Sequence, residues 1–145
     1  MSAETELNTG LLLFVSYRSM EQRVLSTLRA AGHDITTAPA RVFQRVAPEG
    51  TRLTALAEQA QVTKQTAGFL VDQLERAGYV ERVPDPTDAR ARLVRVAARG
   101  AEVVEQAAAV VAEVEAEREA HLGVRRMRQL REGLSRLREL TDPYA

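Results

Sequence analysis

The chain reads as a mainly α-helical fold with one small β-hairpin, on three observations. Apolar residues recur at helical spacing through both ends of its 145 residues, the period changes from 3.6 to 2 directly after Gly78, and helical spacing returns from about Ala98.

In chain order, Leu7, Leu11, Val15 and later Val24, Leu25 and Leu28 recur at helical spacing, and Gly32 follows as a left-handed stop, so a long first helix is expected over about residues 7 to 31. Thr37 before Ala38-Pro39 reads as an N-cap with proline in the first turn. A second helix on Val42, Phe43 and Val46 should then run to about Ala47, ended by Pro48 and Gly50. Leu53, Leu56, Ala57 and Ala60 make a short third helix. Thr63 caps a fourth, whose inward positions are Ala67, Leu70, Val71 and Leu74, and which ends at Gly78. Residues 79 to 83 and 91 to 96 alternate as two strands around a polar loop from Pro84 to Asp88. Val103, Ala107, Val110 and Val114 carry a fifth helix, Gly123 breaks it, and Met127, Leu130, Leu134, Leu137 and Leu140 carry a sixth.

Composition excludes several classes. No window supplies a membrane span and the N-terminus has no signal-peptide pattern, so a cytoplasmic protein is expected. The absence of cysteine rules out disulfides and thiolate chemistry. With His33 and His121 the only histidines, no transition-metal site is expected. Glycines are scattered without a phosphate-binding cluster and no catalytic spacing recurs, so neither an enzyme nor a bound cofactor is expected.

Twenty basic and twenty acidic residues cancel over the chain, but they are unevenly placed. Residues 52 to 99 carry eight bases against six acids, whereas residues 102 to 119 carry six acids and one base. A basic face backed by an acidic helix suits a polyanionic partner better than the net charge suggests.

Two helices joined by Gln61-Val62 and followed by a hairpin give the order of a winged helix-turn-helix. Ala57 is small where the helices cross, Val62 fills the turn, and Leu70 and Leu74 anchor the second helix. Thr63, Lys64, Gln65 and Thr66 occupy that helix's open N-terminal end, where free N–H groups favour phosphate oxygens and Lys64 and Gln65 can reach base edges. The same residues also read as no more than a capped, solvated helix start. The hairpin loop Asp85-Pro86-Thr87-Asp88-Ala89-Arg90, with Arg92 beyond it, weighs towards DNA, because guanidinium groups suit a narrow, negative minor groove.

In Leu53-Thr54-Ala55-Leu56-Ala57, Thr63 to Leu74, Leu74-Glu75-Arg76-Ala77-Gly78-Tyr79-Val80-Glu81-Arg82 and Asp85 to Arg92 through Gly100, the sequence resembles the multiple antibiotic resistance regulator (MarR) family. The resemblance implies a winged helix-turn-helix with long N- and C-terminal dimerisation helices: residues 1–34 and 101–145 for dimerisation around a DNA-binding domain at 35–100. It implies a homodimeric transcription regulator on a pseudo-palindromic double-stranded operator, a repressor released by a small molecule. Asp88 would fix Arg90, and Arg90 would enter the minor groove. Three departures stand out. Val96-Ala97-Ala98 lacks a capping side chain before the fifth helix, which should weaken its start by about 1 kcal/mol. Gly68 should cost about 1 kcal/mol relative to alanine and would allow close approach to DNA. Phe69 is expected to pack against the wing base, with contact to thymine methyl groups as the other reading.

The stripes Leu7-Leu11-Val15 and Leu130-Leu134-Leu137 exceed what one small domain needs to cover, which suits interchain packing. The resemblance also implies an effector cleft, lined here by Phe14, Tyr17, Arg18, His33 and Phe43, for a phenolic or aromatic-carboxylate ligand. The plainer reading makes Phe14 and Phe43 core and His33 a loop residue beside a helix end. A rival to DNA binding is a winged-helix protein–protein interaction module, which has no need of wing-tip Arg90 and Arg92.

Overall fold

A computed structural model describes residues 6–142 and 144, with the order α1 (Thr9–Ala30), α2 (Thr37–Phe43), α3 (Leu53–Ala60), α4 (Lys64–Arg76), β1 (Val80–Asp85), β2 (Asp88–Val96), α5 (Ala98–Leu122) and α6 (Val124–Thr141). This is the mainly helical winged architecture the sequence implies.

Helix α1 starts on a cap that periodicity did not reveal: Asn8 Oδ1 accepts the Leu11 N–H at 2.8 Å. It stops as expected at Gly32 (φ +91°), where the N–H of His33 reaches back to the Leu28 carbonyl at 2.9 Å. Helix α2 corrects the sequence reading at both ends. Thr36 rather than Thr37 is the N-cap, without a side-chain bond, and the helix ends at Phe43, four residues early. The chain leaves the helix because Thr51 must lie against β2, exchanging backbone hydrogen bonds with Val94 at 2.9 and 2.8 Å, while Thr51 Oγ1 accepts the Ala47 N–H. Gly50, at φ +102°, is required there: a Cβ would meet Leu93 Cβ at 3.0 Å.

Helices α3 and α4 are joined by Gln61 in the left-handed conformation (φ 57°) and by Val62, whose N–H bonds to the Ala57 carbonyl at 3.0 Å. Ala57, Ala67, Leu70, Val71 and Leu74 are buried between them and the core, as their spacing implies. The motif from Glu75 to Arg82 then explains itself. Glu75 accepts both the backbone N–H and the guanidinium of Arg82 (3.1 and 2.8 Å), and Asp72 takes the other guanidinium nitrogen at 2.8 Å, so the end of α4 is locked to β1.

The hairpin is longer than its alternation suggested. The strands continue through the segment expected as a loop, leaving Pro86-Thr87 as the turn, because Asp85 organises it from within: its Oδ1 accepts the N–H and hydroxyl of Thr87 at 2.8 and 2.7 Å. Pairing runs in register from Val80↔Val96 to Pro84↔Arg92 and then shifts to Asp85↔Asp88, so Ala89, Arg90 and Ala91 bulge from β2.

Helix α5 has Ala97 as its N-cap, with no side-chain hydrogen bond, as the missing hydroxyl implied. A backbone contact holds it instead: the Ala97 N–H donates to the Tyr79 carbonyl at 3.0 Å, and a Cβ on Gly100 would fall 2.0 Å from that same oxygen. Only glycine permits this approach. The core gathers Leu28, Val42, Leu56, Val71, Tyr79, Val94 and Val103 from α1 to α5. Helix α6 stands apart from it, with Met127 its one buried residue.

Candidate nucleic-acid interface

The exposed side of α4 is built by its cap. Thr63 Oγ1 accepts the Thr66 N–H at 3.1 Å and donates to Thr66 Oγ1 at 2.9 Å, so these two hydroxyls are spent on each other and hold the helix start open. Lys64 and Gln65 project into solvent beside them. Phe69, one turn beyond Gln65, does not pack against the wing base: it is 58% exposed, because the buried face is taken by Ala67, Leu70, Val71 and Leu74. Gly68 likewise turns away from that surface. A Cβ there would meet Leu53 Cδ2 of α3 at an ordinary 3.6 Å, so the position belongs to the helix crossing and not to the open face.

At the wing, Asp85 is a buried carboxylate and Arg52, the residue before α3, grips it through Nε at 2.8 Å and a terminal guanidinium nitrogen at 2.7 Å. The hydrogen bonds from Thr87, backbone first, and from Arg52 bring its pKa down to about 2. The same guanidinium lies 3.8 Å from Asp88. Asp88 in turn accepts the backbone N–H of Arg90 at 3.0 Å, fixing the bulge rather than the guanidinium. The side chains of Arg90 and Arg92 are therefore left exposed, with no ion pair among the described residues, whereas Arg82 and Arg95 nearby are paired to Asp72, Glu75 and Glu81. Two exposed arginines without an ion pair among the described residues, Arg90 on the bulge and Arg92 on the adjoining strand, make the wing a surface suited to polyanions.

The five residues expected to form one effector cleft separate into three places. Tyr17 and Phe43 line a cavity of about 310 Å³ between α1, α2 and α5. Phe14 lies outside it on an exposed face, with Arg18 stacked over its ring at 5.7 Å. His33 is a core histidine: it is buried, and its Nδ1 is 3.0 Å from the Tyr79 hydroxyl, in an edge-on aromatic contact. The cavity instead includes Glu21 and Gln44, which no spacing rule singled out. Arg41 holds Glu21 through two bonds of 2.9 and 3.1 Å, and Gln44 Nε2 donates to the Tyr17 hydroxyl at 3.2 Å. Arg52 and Asp85 were missed for the same reason: they are 33 residues apart and meet only in the folded chain.

Fold and surface together define a winged helix-turn-helix protein. Residues 33–91 match the model described as the MarR family. Among solved structures it is similar to a transcriptional regulator of Thermotoga maritima (26% identity, 90% of this chain and 92% of that one, TM-score 0.60). It is also similar to NadR in complex with 4-hydroxyphenylacetate (22%, 94% and 96%, 0.72) and to a DNA complex of MepR from S. aureus (21%, 91% and 97%, 0.70). No curated protein sequence matches it. No helix of the described residues is long and apolar enough to cross a membrane, and no group of histidine, aspartate and glutamate among them is placed to hold a metal ion.

Proposed function

We propose that the chain is a non-enzymatic, sequence-specific DNA-binding transcription regulator of the cytoplasm. It binds a pseudo-palindromic duplex as a homodimer and represses until a small molecule releases it. The observation that carries this reading is the wing: Asp85, Arg52 and Asp88 spend three charged groups on fixing the hairpin tip, where Arg90 on the bulge and Arg92 on the adjoining strand have no ion pair among the described residues. In the bound state, Lys64 and Gln65 lie in the major groove, Arg90 and Arg92 follow the flanking minor groove, and Thr63, Thr66 and Asp88 hold those groups in position. The DNA-bound state of MepR, whose fold this chain shares, supports the assignment.

The dimer reading rests on exposure. Leu11, Leu12, Leu13, Phe14 and Val15 of α1, and Leu130, Leu134, Leu137 and Leu140 of α6, are all exposed in the single chain. Such stripes on two long helices need a partner, and a second copy supplies the same stripes by symmetry. Residues 1–34 and 101–145 are thus assigned to dimerisation and 35–100 to DNA, with recognition helices about 34 Å apart. The cavity under α1, α2 and α5 touches both parts, which is where an effector shifts one against the other. NadR, of the same fold, is solved with a phenolic ligand.

Selection of bound sequences from random duplex DNA tests the reading. Recovery of a two-fold symmetric motif supports it, and recovery of unenriched sequence overturns it.

A further inference from the structure

We infer that the cavity takes an uncharged aromatic or hydroxylated molecule and refuses carboxylates; this rests on reading the cavity as the effector site. Of the residues that line it, Glu21 alone is charged, and the rest of the wall is aliphatic apart from Tyr17, Met20, Phe43 and Gln44. Arg41 is not in the wall. It lies with Phe14 and Arg45 on a shallower depression on the other side of Tyr17 and Gln44, and both nitrogens it sends inward are taken by the two oxygens of Glu21. Arg41 holds the Glu21 carboxyl below its usual range, so the pair is ionised and internally neutral, while burial raises the Tyr17 phenol. Arg18, the cation expected here, is on the exposed face with Phe14. An entering carboxylate would lose its hydration, meet Glu21 and find no free cation. A neutral ring would bury itself against Val24, Leu28, Val103 and Ala107, and Gln44, whose amide nitrogen donates to the Tyr17 hydroxyl, has a side-chain carbonyl oxygen able to accept from a ligand hydroxyl or amide.

The test uses 4-hydroxyphenylacetate and its uncharged amide, compared by calorimetric titration at neutral pH. The amide should bind the full chain roughly tenfold or more tightly than the acetate. Glu21→Gln, which frees the Arg41 charge, should narrow or reverse that preference, and Ala107→Leu, which fills the cavity, should abolish binding of the amide. Equal or tighter binding of the acetate to the unmodified chain overturns the inference and leaves the cavity as a ligand site. Binding that survives Ala107→Leu, or none of either compound, overturns the cavity reading itself.

A second inference stands on a different observation. We propose that Phe69 reads a thymine methyl group; this rests on α4 being the recognition helix. It is a large aromatic side chain on the middle of the helix's open face, in line with Gln65 and Gln73, and its exposure gives it no role in the core. In the major groove the apolar landmark is the C5 methyl of thymine. Replacing thymines of the selected duplex one at a time by deoxyuridine removes only that methyl. At one position in each half-site the substitution should weaken binding by about fourfold, and Phe69→Ala should bind the thymine and deoxyuridine duplexes alike. If no position responds, or if the response persists in Phe69→Ala, the proposal is overturned while DNA binding stands. A chain that binds no duplex specifically would overturn both.

Discussion

Arg52, ahead of the first helix of the helix-turn-helix, donates from Nε to Asp85 Oδ2 at the tip of the wing at 2.8 Å, with a terminal guanidinium nitrogen 2.7 Å from the same oxygen, so the helix-turn-helix and the wing are braced by one ion pair. Removing the arginine should leave the helical core intact and loosen the hairpin. Arg52→Ala is expected to speed amide exchange at Thr87 and Arg90, whose N–H groups depend on Asp85 and Asp88, while exchange at Val71 and Leu74 is unchanged. Uniform acceleration across the chain would show that the pair supports the whole fold.

The same pair sets a pH dependence. Asp85 titrates near 2 in the folded chain against 3.8 ordinarily, so folded Asp85 resists protonation. Its contribution is therefore fully present above the unfolded value and is lost as pH falls through the folded one. The stability difference between the unmodified chain and Asp85→Asn should be constant above about pH 5 and shrink between about pH 4 and 2. Denaturant titrations across that range check this.

Two glycines in helices should respond oppositely to alanine. At Gly100 the new Cβ would lie 2.0 Å from the Tyr79 carbonyl oxygen, so Gly100→Ala must part α5 from the start of β1, at about 3 kcal/mol or more. At Gly68 the Cβ meets Leu53 at an ordinary distance, and Gly68→Ala should stabilise by about 1 kcal/mol through helix propensity. Urea denaturation measures both.

Tyr79 holds the buried His33 through its hydroxyl and is covered on its ring by the Arg99 guanidinium at 4.6 Å. Tyr79→Phe keeps the packing and strands the His33 Nδ1, so it should destabilise by about 1 to 3 kcal/mol. A neutral outcome would mean that His33 has another partner in solution.

The exposed leucines of α6 carry the dimer prediction. Sedimentation should give a dimer at micromolar concentration for the unmodified chain and a monomer for Leu134→Glu with Leu137→Glu, since charges cannot be buried unpaired at an apolar seam. A monomeric unmodified chain would contradict the symmetric model.

What the sequence made legible follows from locality. Helices α3 to α6, the turn at Gln61-Val62 and the inward face of α4 all rest on contacts a few residues apart, and they were readable to within a residue or two. The end of α2 was not, because Thr51 is drawn to Val94, a partner 43 positions away, and that pairing outweighs the helical spacing of Val46. Nor was the wing's true length, because a Pro-Asp-rich stretch reads as loop until Asp85 is seen to gather the Pro86-Thr87 turn onto itself. The residues expected to line one cleft separate for the same reason: Phe14 and Arg18 stack on the exposed side of α1, and of the three only Tyr17 reaches the cavity. Glu21 and Arg41 show no pattern until α1 and α2 are packed together.

Arg90 and Arg92, exposed and without an ion pair among the described residues, are the groups on which the proposed DNA contact most depends. The direct measurement is the affinity for a selected duplex against salt concentration, for the unmodified chain and for Arg90→Ala. The unmodified chain should lose affinity steeply as salt rises, and Arg90→Ala should bind roughly tenfold or more weakly at moderate salt, with a slope shallower by about one to two ions per dimer. Equal affinity and equal slope for the two proteins would contradict it.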